Sequence, residues 1–143
     1  MILVDANLLI YAVNLDSPHH ERARRWLEET LSSDEWMGFT PVVLLAFLRI
    51  TTRSGIFERP LSCERAIAYC DSWLAQPNVR VVPVGRNHWR VFRSLLLAAG
   101  TAGNLTSDAH LAAVALELGC SVCSADNDFK RFPGLIHSNP LVS

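Results

Sequence analysis

Three aspartates in this 143-residue chain stand where carboxylates can do chemistry. Asp5 ends the apolar run Ile2-Leu3-Val4, Asp108 follows a loop of small residues, and Asp126 follows the run Cys120 to Ala125. Carboxylates gathered within a few ångströms repel one another, so such a cluster must hold a proton or bind a cation. With no Lys nearby in sequence, a divalent metal is the natural counter-charge, and oxygen-only ligands select Mg²⁺ or Mn²⁺ over zinc. An ion of that kind activates water and neutralises charge on a phosphate during in-line displacement. Asn7, Ser107 and Ser124 could hydrogen-bond to these carboxylates and orient them. Asp5 taken alone reads equally as a helix cap, since Asp is a good N-cap.

These side chains converge only if particular elements place them. Four apolar residues without polar alternation at the start read as a strand buried on both faces at the centre of a parallel sheet. Ligands of open α/β sheets bind beyond the carboxyl ends of the strands, which is where Asp5 falls. A short helical segment over Leu8 to Val13 follows, and Ser17-Pro18 signals a helix from Pro18 to Leu31. Trp36 to Phe39 reads as a second strand, and Thr40-Pro41 opens a helix from Val42 to Thr52. The near-absence of polar residues from Val42 to Ile50 predicts a buried helix that carries Arg49 into or beside the core.

Ser62 caps a helix running through Gln76, with Ala66, Ile67, Cys70, Trp73 and Leu74 inward. Val79 to Val84 reads as the third strand and Asn87 to Ala99 as the next helix. Arg86, Arg90 and Arg93 form a stripe there, a candidate for phosphate contacts as well as a solvated face. The loop from Gly100 to Ser107 delivers Asp108 to the first turn of a helix ending at Leu118, with Gly119 as its stop. Cys120 to Ala125 is a fourth strand, and a short fifth lies near Leu135 to Ser138. Strands alternating with helices throughout imply an α/β domain spanning residues 1–143, with a mostly parallel sheet covered by helices on both faces.

Composition narrows the function. Half of the residues are hydrophobic and the net charge is −1, which excludes disorder and a global basic field for nucleic acid. Any nucleic-acid contact must be local. Only Lys130 is lysine among 13 basic residues, and arginine forks suit bidentate contact with phosphate. No apolar run is long enough to span a membrane and no signal peptide is evident, so a cytoplasmic protein is expected. The pair Cys120 and Cys123 lies on an expected strand, where residues three apart face opposite ways, and Cys63 and Cys70 share a helix face. Packed thiols are the expected reading, because a zinc site needs a second paired half.

Three segments in order resemble the PIN domain, specifically VapC-type toxins of bacterial toxin–antitoxin pairs. They are Ile2-Leu-Val-Asp5-Ala-Asn7, Asn104-Leu-Thr-Ser-Asp108-Ala-His-Leu-Ala-Ala113, and Ser124-Ala-Asp126-Asn-Asp128-Phe-x-x-Phe-Pro-Gly134-Leu. The resemblance implies a PIN-like fold with a five-stranded parallel sheet and an endoribonuclease dependent on Mg²⁺ or Mn²⁺. It also implies a homodimer held off by a cognate VapB-type antitoxin. It assigns metal binding and catalysis to Asp5, Asp108 and Asp126, with Asp128 at a common acidic position in support. Structured RNA such as tRNA or ribosomal RNA is the expected substrate.

One position departs from that pattern. Most of the family carries a Glu three residues before an Arg on the helix after the second strand, and here Ala46 precedes Arg49 in that place. A PIN module that binds RNA or a partner without cutting it is therefore the alternative. A phosphatase of the haloacid dehalogenase type would also place an Asp after the first strand, but it expects a second Asp where Asn7 stands.

Overall fold

The computed structural model describes residues 1–142. In chain order its main elements are β1 (Ile2–Val4), α1 (Ala6–Val13), α2 (His20–Leu31), β2 (Met37–Phe39), α3 (Pro41–Thr51), α4 (Cys63–Leu74) and β3 (Val79–Val81). Then come α5 (His88–Ala99), α6 (Thr106–Leu118), β4 (Ser121–Cys123) and β5 (His137–Ser138), with 3-10 turns at Gly103–Leu105 and Asn127–Arg131. The five strands form one sheet in the order β3-β2-β1-β4-β5. Every pairing is parallel.

The chain leaves β1 toward β3 and returns past it to β4, so right-handed crossovers put the outward and return helices on opposite faces. That explains why Leu3, Val4, Met37, Phe39 and Val122 are all buried, as continuous apolar strands covered on both sides require. Gly38 in β2 serves this packing. A Cβ there would meet Leu3 Cδ2 at 2.5 Å and Val82 Cγ2 at 2.7 Å, so only glycine lets the neighbouring strands close over it.

Local signals set most element ends. Thr40 caps α3 by accepting from Val43 N at 3.3 Å, with Pro41 in its first turn. Ser62 caps α4 by accepting from Arg65 N at 3.1 Å. Gly119 ends α6 in the left-handed conformation at φ 70°.

Five expectations are corrected. The second helix begins at His20 rather than Pro18, because Ser17 Oγ accepts from His19 N at 3.1 Å and spends its capping capacity on a local turn. The helix α3 is not buried throughout: Val42 is 38% exposed and Leu45 is 64% exposed, since no described element covers that face, and Arg49 is exposed with them. Ile67 is 44% exposed rather than inward. Of the two cysteines expected to share a packed face, Cys70 is buried and Cys63 exposed. All four thiols are free, and burial raises the pKa of Cys70, Cys120 and Cys123. The third strand pairs only over Val79–Val81, as an edge strand does, although Val82 N still donates to Phe39 O at 2.9 Å.

No helix of the described residues is long and apolar enough to cross a membrane.

Candidate active site

The carboxyl ends of β1 and β4 are neighbours, paired through Val4 and Cys123. Their extensions meet above the sheet. Asp5 N donates to Cys123 O at 3.0 Å, which brings the residues after each strand face to face. Asp5 is both cap and site residue. Its Oδ1 accepts from Ala6 N at 2.8 Å at the start of α1, while its Oδ2 accepts from Ser124 Oγ at 2.6 Å.

Ser124 is fully buried and is the hub of this junction. Its Oγ also accepts from Asn7 Nδ2 at 3.1 Å and from Asp126 N at 3.0 Å. Asn7 Oδ1 in turn accepts from Ala125 N at 3.3 Å. Of the three residues expected to orient the carboxylates, Ser124 bonds one directly, Asn7 acts through Ser124 and Ala125 N to tie the two strand ends together, and Ser107 makes no such bond among the described residues. His137 on β5 adds a contact that no sequence motif announced, its Nε2 lying 2.9 Å from Ser124 O.

Asp126 starts the 3-10 turn, accepting from Asp128 N at 2.8 Å through Oδ1. Asp108 enters from the first turn of α6, where backbone N–H groups and the helix dipole favour negative charge. Carboxylate oxygens of Asp108, Asp126 and Asp128 all lie within 4.8 Å of one another. Asp128, expected only in a supporting place, thus joins the tight group, while Asp5 stands beside it with both oxygens already engaged.

The electrostatics register the crowding. Burial first, and then the charges of Asp5 and Asp126, push the Asp108 carboxyl up to about 7. Burial also raises the Asp5 pKa, against the lowering effect of its Ser124 hydrogen bond. A carboxyl held protonated near neutrality is what a carboxylate cluster does in place of a cation. The donor set is oxygen only, which fits Mg²⁺ or Mn²⁺ and disfavours zinc.

Next to Asp5, α3 and α6 open a cleft of about 170 Å³. Val42, Leu45, Ala46 and Arg49 line it from α3, and Ser107, His110 and Leu111 from α6. Ser107 and Ala46 therefore both line the cleft that Asp5 borders. His110 was not anticipated. Its spacing of three from Ser107 on one helix face was the available signal. Burial and then the neighbouring His88 lower its pKa, and the two rings stand 4.5 Å apart. Arg86, Arg90 and Arg93 are exposed and belong to no ion pair among the described residues, so the structure leaves the stripe outside the carboxylate cluster.

A family model described as PIN domain matches residues 2–135. Ribonuclease VapC37 of Mycobacterium tuberculosis (strain ATCC 25618 / H37Rv) is 45% identical over 140 residues, covering 98% of this chain and 97% of that protein. Ribonuclease VapC33 of the same strain is 41% identical over 141 residues, covering 99% of each. Among solved structures, the sarcin-ricin loop cleaving toxin VapC20 of M. tuberculosis superposes with a TM-score of 0.73 at 20% identity, over 98% of this chain and all 100% of that one. VapBC2 from Rickettsia felis, bound to a DNA fragment from its promoter, gives a TM-score of 0.70 at 21% identity over 97% of this chain and 98% of that one. At these identities the two structures speak to the fold.

Proposed function

The chain belongs to the PIN-domain family, and from that premise we propose that it is a metal-dependent endoribonuclease, the toxin half of a VapBC-type toxin–antitoxin pair. The observation that carries the reading is the carboxylate group of Asp108, Asp126 and Asp128 beside Asp5, built where β1, β4 and α6 meet. Relatives named ribonucleases at 45% and 41% identity over nearly the whole chain support the RNA-cleaving activity.

Asp108, Asp126 and Asp128, with Asp5 at their side, would hold Mg²⁺ or Mn²⁺. When bound, such an ion supplies a lowered water pKa and positive charge against the phosphate. The protein's own part is positional. Ser124 and the Ala6 N–H fix the Asp5 carboxylate, Ser124 also fixes the Asp126 backbone, and Asp126 holds Asp128. Asp108, its carboxyl raised to about 7, would release its proton to solvent on joining that set.

The substrate is a structured RNA, tRNA or ribosomal RNA. VapC20 being a sarcin-ricin loop cleaving toxin supports this class. The partner is a VapB-type antitoxin, supported by structural neighbours that are toxin–antitoxin complexes. A homodimer accounts for the exposed Trp89 (69%) and Leu97 (66%) on α5.

Ala46 favours one second reading, a module that binds RNA but cuts it weakly or not at all, because the α3 side chain that lines the cleft with Asp5 contributes no ligand. Expressing the chain alone and together with its upstream neighbour gene, with sequencing of RNA 5′ ends, separates the two. New, discrete ends that vanish on co-expression support the toxin reading. Growth arrest or RNA binding without new ends supports the silent module.

A further inference from the structure

The cleft between α3 and α6 has a composition of its own. One wall is apolar, made by Val42 with Leu45 and Ala46 three and four residues on, the spacings that share one helical face. Arg49 closes that wall, exposed and without an ion-pair partner among the described residues. The facing wall offers the Ser107 hydroxyl and the His110 imidazole. Asp5 lies at one side.

Size and chemistry together select an occupant. At about 170 Å³ the cleft is well below the ~300 Å³ at which pockets for drug-sized molecules begin, so it takes one ring system rather than a chain of nucleotides. Single-stranded RNA is read by splaying out a base, laying its face on an apolar or guanidinium plane and hydrogen-bonding its edge. The α3 wall and Arg49 provide the plane, and Ser107 and His110 provide the edge contacts. Arg49 also supplies the positive charge that an RNA strand requires next to an acidic centre.

We propose that this cleft is a nucleobase subsite, holding one unpaired base of the RNA adjacent to the phosphate presented to the carboxylates, and that Ala46 is what keeps it open. The proposal rests on the ribonuclease reading for the identity of the strand. It makes the enzyme selective at one nucleotide flanking the cut.

The test uses a pool of RNA hairpins with a fully randomised loop. Bound molecules are recovered and sequenced in one arm, and cut ends are sequenced in Mn²⁺ in the other. The full chain is compared with Ala46→Leu, which fills the cleft, and Leu45→Ser, which dismantles its wall at an exposed position where folding is not at stake. The expected result is a base preference at one loop position that both substitutions flatten, with selective binding reduced roughly tenfold, the scale of losing one base contact. Preferences elsewhere in the loop stay as they were.

A preference that both variants retain overturns the subsite even if cleavage is strong, and the ribonuclease reading then stands without it. Selective binding that the variants abolish, in a pool that is never cut, supports the subsite and removes the nuclease. Binding without preference at any position overturns the subsite.

Discussion

Ser124 Oγ donates to Asp5 Oδ2 at 2.6 Å across 119 residues of sequence, and through that bond the ends of β1 and β4 share one buried hydroxyl. The same oxygen accepts from Asn7 and from the Asp126 backbone. Three hydrogen bonds that build the site therefore converge on one side-chain oxygen.

Ser124→Ala removes the donor to Asp5 and leaves Asn7 Nδ2 and the Asp126 N–H without this acceptor in a buried place. A loss of about 1–3 kcal/mol in stability is expected, the usual range for orphaned buried polar groups. Metal affinity is expected to fall ~10–100-fold, as when a residue that orients a ligand is lost. Chemical denaturation and Mn²⁺ titration calorimetry of the same variant measure the two effects; an unchanged metal affinity would detach Asp5 from the site.

The Asp108 carboxyl, raised to about 7, sets a pH dependence with a definite sign. Its folded pKa exceeds the unfolded one, near 3.8, so the folded chain binds more protons between those values. The stability it contributes is complete below pH ~4 and is lost as pH rises through ~7. In chelator, the melting temperature is expected to drop between pH 5 and 7.5 beyond any change in Asp108→Asn. Mn²⁺ should reverse the drop at pH 7.5. A melting temperature in chelator that is flat, or that rises over this range in the parent but not in the variant, contradicts the crowded cluster.

Ala46 lines the same cleft as Asp5, so Ala46→Glu adds a carboxylate toward the site. Activity of the parent chain should need more metal than that of the variant, and Mn²⁺ should serve it better than Mg²⁺, since it binds such sites more strongly. Without metal the added charge costs stability beside Asp5; with metal part of that cost is recovered. Paired melting and metal titration decide it. Equal destabilisation with and without Mn²⁺, and an unmoved titration, would mean that position 46 cannot supply a ligand.

Arg86, Arg90 and Arg93 are exposed and available for phosphate contact. Charge reversal at Arg90 and Arg93 should weaken RNA binding and flatten its salt dependence by about 0.7 per lost phosphate contact on a single strand. Melting behaviour should not move, because neither side chain is in an ion pair among the described residues. Unaltered affinity across a salt series would remove the stripe from the RNA path.

The readable parts of this chain are those governed by neighbours in sequence. Thr40-Pro41 and Ser62 announce their helices because a cap acts within three residues, and Ile2-Leu-Val ending on Asp5 marks a central strand because burial on both faces leaves no polar alternation. Ser17-Pro18 misled, since the same hydroxyl can serve a turn or a helix and the sequence does not say which. The exposed face of α3 was hidden for a different reason: an apolar stretch looks alike whether it is packed in a core or lines a cleft for something else. Asp128 and His110 needed the tertiary register. Whether an acid two residues beyond Asp126 points into the cluster depends on the 3-10 turn that follows it, and His110 matters only because α6 forms the wall of the cleft opposite α3.

The proposed metal-dependent ribonuclease stands or falls on Asp108 and its acidic neighbours. The direct measurement is cleavage of a total-RNA panel by the purified chain in chelator, in Mg²⁺ and in Mn²⁺, beside Asp108→Asn with its fold checked by melting. Discrete cuts that require the metal and disappear in the folded variant are expected. Cuts that persist in chelator, or at full rate in Asp108→Asn, would contradict it.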